Sequence, residues 1–149
     1  MRIKNGTLIF VANGTKMRIL RNDGGVDDIA LAEMLSQEVE NPPTHEQGAD
    51  SPGRTQSRVG TRRSSYKQTD LHQQTEDEFI REAAEALERV VGQQEAREII
   101  VAAAPRALGE LRKHYGAKTK TCLVAEIDKD LTNMDLAGIA RLLDAHGES

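Results

Sequence analysis

From Asn41 to Gln74 the chain offers almost nothing to a hydrophobic core, and this gap separates what folds before it from what folds after it. Pro42, Pro43, Gly48, Pro52, Gly53 and Gly60 interrupt any helix or strand. Arg54, Arg58, Arg62, Arg63 and Lys67 follow one another with no Asp or Glu between Ser51 and Thr69. About thirty residues without regular periodicity exceed the usual connection inside a compact domain, and connections of that length are functional or disordered. The expectation is a long basic loop over residues 41–74, held out by a folded scaffold.

The scaffold reads from the segments on either side. Thr7 to Ala12 and Lys16 to Arg21 are apolar, β-branched runs around Asn13-Gly14, a dipeptide that tolerates the left-handed backbone of tight hairpin turns. Ile29 to Glu40 fits either a helix or a strand. A strand is expected, because Asn41-Pro42-Pro43 forces extended backbone at its end. After the loop, Thr75 with Glu78 reads as a capping box. Phe79, Ile80, Ala83, Ala84, Leu87, Val90 and Val91 then follow at helical spacing, with a stop near Gly92. Ile99 to Ala104 is continuously apolar, as in a strand covered on both faces.

Pro105 opens a second helix that stops at Gly116, Thr121 to Ile127 is a further strand, and Thr132 to Asp135 caps a last helix. The spacing therefore predicts an α/β fold in one domain over residues 1–149. Its ribonuclease-H-like mixed sheet has five strands, three antiparallel and then two parallel, with three helices.

Composition narrows the partners. With two Phe, two Tyr and no Trp, the core must be aliphatic, which argues against an aromatic base-stacking platform. A net charge of −4 means that any polyanion must be met by a local patch, and the basic loop is that patch. Cys122 is the sole cysteine, which excludes an internal disulfide, and its expected place is a buried strand. Met1 to Gly6 lacks the apolar run of a signal peptide, and nothing approaches the ~20 apolar residues of a membrane span, so a cytoplasmic chain is expected.

Three groups of residues can carry chemistry. Guanidinium forks match phosphate oxygens, so Arg54, Arg58, Arg62 and Arg63 among Ser and Thr can coat a phosphate backbone; the plain alternative is a solvated loop. Ala104-Pro105-Arg106 follows a strand end, where α/β sheets gather ligands, with Arg112 and Lys113 further along; ordinary helix chemistry is the better account of it. Glu126, Asp128 and Asp130 close the last strand and, with Asp70, form the only candidate for a divalent cation and a nuclease or hydrolase reaction. His45, His114 and His146 are expected to stand alone. No cofactor is expected.

Several motifs carry a resemblance: Asn41-Pro42-Pro43-Thr44 with Gln47, Asp50-x-Pro52-Gly53-Arg54, Gln68-Thr69-Asp70-x-His72, Ala104 to Lys113, Glu126 to Thr132, and the hairpin Val11-Ala12-Asn13-Gly14. Together they resemble the bacterial host-attachment proteins, a family similar to the central domain of archaeal and eukaryotic peptide-release factors. The resemblance implies a ribonuclease-H-like sheet with a long loop after the third strand. Those factors carry Gly-Gly-Gln in that loop for peptidyl-tRNA hydrolysis, whereas Asn41 to Gln74 contains none.

What the resemblance implies here is a non-catalytic module that touches ribosomal or transfer RNA through Arg54, Arg58, Arg62, Arg63 and Lys67. Gln68, Asp70 and His72 are the polar readers, and Arg106 and Arg112 extend the surface. Neither DNA nor a membrane is an expected partner. The other expectation carried by the family's name is attachment to host cells through a polysaccharide or protein.

Overall fold

The computed structural model describes residues 1–40 and 61–146, the backbone alone over 61–72. Five strands, β1 (Leu8–Ala12), β2 (Lys16–Asn22), β3 (Leu31–Glu38), β4 (Ile99–Ala103) and β5 (Leu123–Ile127), form one sheet in the order β3-β2-β1-β4-β5. β1, β2 and β3 are antiparallel neighbours, while β4 runs parallel to both β1 and β5. This is the expected ribonuclease-H-like mixed sheet. The helices are α1 (Thr61–Gln94), α2 (Pro105–Leu111), α3 (Ala117–Cys122) and α4 (Leu136–Ala145), the three expected and one more.

β1 is central, and every residue of it is buried. Its side chains alternate between two cores. Leu8, Phe10 and Ala12 meet Phe79, Ala83 and Leu87 of α1 and Leu108 of α2; Ile9 and Val11 meet Ile139 and Leu143 of α4. The continuous apolar runs of β1 and β4 follow from this double covering. α4 starts on Asp135, whose Oδ1 accepts from the Gly138 N–H at 2.7 Å.

The additional helix, α3, has no apolar period in AKTKTC, and its N-terminus is capped from another element. Glu88 of α1 accepts from the Lys118 N–H at 3.0 Å and from the N–H and hydroxyl of Thr119, both at 2.9 Å. Burial pushes the Glu88 carboxyl up, yet these donors outweigh it and hold the group below the usual glutamate range. Gly116 makes room for the carboxylate, since a Cβ there would lie 2.3 Å from Glu88 Cδ. Because α3 claims residues up to 122, β5 begins at Leu123. Cys122 therefore ends a helix, half-buried, with its Sγ 3.2 Å from the Ala96 carbonyl, and does not sit on the strand expected for it.

α1 ends at Gln94, two residues after Gly92 and near its expected stop. Gly92 lies within it, and a Cβ there would lie 3.0 Å from Nζ of Lys118 on α3, the flexible end of that side chain. Past Gln94 the helix is closed by Glu95, at φ 51°, with the Ala96 N–H on the Val91 carbonyl and the Glu95 N–H on that of Gly92. That pattern is a Schellman cap.

Candidate functional site

The expected loop is shorter than the sequence suggested. Helix α1 already begins at Thr61, so Arg62, Arg63, Lys67, Gln68, Asp70 and His72 lie on helical backbone. Arg54 and Arg58 fall outside the described residues. Thr75, expected as an N-cap, is interior to the helix. The reason is local: the last breaker is Gly60, and the Arg, Lys and Gln that follow are good helix formers even without an apolar face. The first turn holds no acid and includes Arg62 and Arg63, at the end of the helix dipole that is already positive. An anion there would relieve both charges.

The described side chains show how this arm is rooted. Asn13 Oδ1 accepts from the N–H groups of Thr15 at 2.9 Å and Lys16 at 2.8 Å. Asn13-Gly14 thus turns by a side-chain hydrogen bond, and the expected left-handed backbone is absent, Glu95 and Gly6 being the described residues with positive φ. The Asn13 amide also donates to Asp130 Oδ2 at 3.0 Å and Thr132 Oγ1 at 3.1 Å, which locks the turn to the loop after β5. Burial pushes Asp130 up, but the Thr132 hydroxyl and N–H and the Asn13 amide hold it below the usual aspartate range.

Both ends of the arm meet this turn. The Val39 N–H, just after β3, donates to the Thr15 carbonyl at 2.8 Å. Glu76 of α1 packs on Gly14, where a Cβ would lie 2.7 Å from Glu76 Cδ. Next to it, Asp77 stands 3.8 Å from the exposed guanidinium of Arg106, which follows β4. The long helix therefore crosses the carboxyl ends of β1 and β4, the side on which open α/β sheets collect ligands.

The remaining candidates separate. Arg112 donates to Glu126 Oε1 from Nε at 2.9 Å and from Nη2 at 2.7 Å, while the Tyr115 hydroxyl donates to Oε2 at 2.7 Å. Arg112 holds the Glu126 carboxyl low against the effect of burial, and Tyr115 is pushed up by burial and by its bond to that carboxylate. Glu126 thus turns to the α2 side and Asp130 to the β1–β2 turn. Among the described residues, no three His, Cys, Asp or Glu are grouped so that they could hold a metal ion. His114, expected to stand alone, has Nε2 3.2 Å from Glu110. His45 lies outside the described residues.

The sequence reading missed the triple role of Asn13 and the cap supplied by Glu88. Asn13 was legible as a turn residue only, because its partners Asp130 and Thr132 lie at the far end of the chain. A family model described as bacterial archaeo-eukaryotic release factor family 12 matches residues 6–143. No curated protein matches the chain.

Proposed function

The chain belongs to the bacterial archaeo-eukaryotic release factor family 12, and from that membership we propose that it is a non-catalytic, cytoplasmic binding module of the translation apparatus that presents the basic start of α1 to ribosomal or transfer RNA. In this reading Arg62, Arg63 and Lys67, with Arg54 and Arg58 before them, take phosphates. Gln68, Asp70 and His72 read polar groups nearby, and Arg106 widens the surface at the helix root. Arg112 joins only by exchanging Glu126 for a phosphate.

One observation carries the reading. α1 is 34 residues long, and among its residues whose side chains are described, from position 73 on, the first buried one is Phe79. The turns before Phe79 carry it roughly 25 Å further at ~1.5 Å per residue, and they hold Arg62, Arg63 and Lys67 with no acid before Asp70. A long helix whose first turns are cationic and free of acids up to Asp70 supports a reading in which it meets a polyanion. No described helix is long and apolar enough to cross a membrane.

Replacing Arg62 and Arg63 together by Ala is expected to weaken RNA binding and to reduce the slope of log affinity against log salt by about 2, roughly one per phosphate contact. Equal affinity and slope in variant and parent would remove the arm from the interface. Peptide release is not part of this proposal, because Asn41 to Gln74 lacks Gly-Gly-Gln. An effect on attachment to host cells would follow indirectly, through the proteins whose synthesis the module touches.

A further inference from the structure

Thr7, Asn22, Thr119 and Thr132 are the buried polar residues among those described. Three of them have partners for their side chains. The Asn22 amide donates to the Ile3 carbonyl at 3.0 Å, and its Oδ1 accepts from the Gly24 and Ala30 N–H groups, both at 2.9 Å. The hydroxyls of Thr119 and Thr132 donate to Glu88 at 2.9 Å and to Asp130 at 2.6 Å. Thr7 is the exception. It is 3% exposed, its N–H donates to the Lys4 carbonyl and its own carbonyl accepts from the Asn22 N–H, but its hydroxyl has no partner among the described residues. A buried polar group left in that state is costly and calls for a physical reason.

Thr7 lines a hollow of about 550 Å³ at the amino ends of β1 and β4, the end of the sheet away from the root of the arm. A smaller hollow of about 190 Å³ shares Thr7 and Glu98 with it. The charged groups on the wall of the larger one are Lys4, Glu95, Arg97 and Glu98, two of each sign. Lys4 and Glu98 stand 3.9 Å apart, the loose limit of an ion pair. Arg97 and Glu95 are exposed and have no side-chain partner among the described residues. Glu95 is also the residue at φ 51°, so a carboxylate occupies the rim where glycine would be unstrained.

We propose that this hollow binds a free α-amino acid: the carboxylate of the ligand meets Arg97 and Lys4, its ammonium meets Glu95 and Glu98, and one of these charged ends takes the Thr7 hydroxyl. A plain anion would face two carboxylates here, and a plain cation two bases. A zwitterion satisfies both signs at once. A hollow of several hundred Å³ with a few converging polar groups is also the usual form of a small-molecule site. The site lies apart from the arm and does not depend on its RNA reading.

The test titrates the full chain calorimetrically with each standard L-amino acid, into the millimolar range, and with inorganic phosphate. The best amino acid is then compared with its N-acetyl and carboxamide derivatives, which lack one charged end each. Binding of an amino acid is expected, with both derivatives and phosphate much weaker. Thr7→Val keeps the shape of the side chain and removes the hydroxyl. It is expected to lose about tenfold or more in affinity, as for a hydrogen bond to a charged group, while its urea midpoint stays at or above that of the parent. Arg97→Gln is expected to lose affinity for the amino acid as well.

No binding of any amino acid would overturn the proposal, leaving the hydroxyl to water. Phosphate or the N-acetyl derivative binding as well as the amino acid would overturn it in favour of a simple anion site, and equal binding of the carboxamide would favour a cation site. Unchanged affinity with Thr7→Val or Arg97→Gln would place any binding elsewhere. A lowered urea midpoint for Thr7→Val would show that the hydroxyl is already satisfied within the fold, which removes the premise.

Discussion

Glu95 sits at φ 51°, in the left-handed region where a side chain is crowded and glycine is not. The Schellman cap of α1 requires that conformation, so the residue bears strain for the sake of the helix end. Glu95→Gly is expected to stabilise the chain by about 1 kcal/mol, read as a higher urea midpoint with an unchanged slope; an unchanged or lower midpoint would contradict it. Gly92, three residues earlier, has the sequence mark of a helix stop but lies inside α1, beside the Lys118 side chain. The terminus near Gly92 was legible in the sequence, but the surroundings of that glycine were not, since α3 is remote in sequence. Asn13 teaches the same lesson. Its turn was legible from Asn13-Gly14, whereas its bonds to Asp130 and Thr132 cross more than a hundred residues.

Among the elements, those with an apolar period or a continuous apolar run were legible: β1, β4, the sheet-covering part of α1, and α4. The first third of α1 was not, because its sequence carries no apolar period from which a helix could be read. α3 was missed for the related reason that it is held by Glu88 and by contact with α1 more than by its own sequence. Both sheet edges also carry a device that no local pattern reveals. Met34 in β3 and Val124 in β5 are skipped by the pairing of their neighbours, a one-residue irregularity in each edge strand. Bulges of this kind discourage edge-to-edge association.

The Glu88 link makes a prediction at this scale. Its folded pKa lies below its unfolded value, so its stabilisation is present above the unfolded value and is lost as pH falls through the folded one. Glu88→Gln keeps an acceptor but loses the charge. It is expected to cost about 1 kcal/mol at neutral pH, with the gap to the parent closing on acidification in melts monitored by circular dichroism. A gap that stays constant with pH would show that the charge is not what caps α3.

For the molecule as a whole, topology followed from the order of elements, since parallel β4 and β5 joined through helices leave few arrangements once the hairpin is placed. The candidate interface was legible in residue content but not in form, as the cations of the expected loop divide between residues 41–60 and the first turns of α1. Charge is segregated along that one helix. Arg62, Arg63 and Lys67 precede Asp70, while Glu76, Asp77, Glu78, Glu82, Glu85 and Glu88 lie over or near the sheet. On a chain of net charge −4, the proposed reading has a polyanion repelled from the body and drawn to the arm.

The most direct test of that claim is ultraviolet crosslinking in cells that express the chain, followed by denaturing capture and mass spectrometry of nucleotide-bearing peptides. Ribonucleotide adducts on peptides between Arg54 and His72 are the predicted result. Adducts confined to other parts of the chain, or a captured chain free of RNA, would contradict the account.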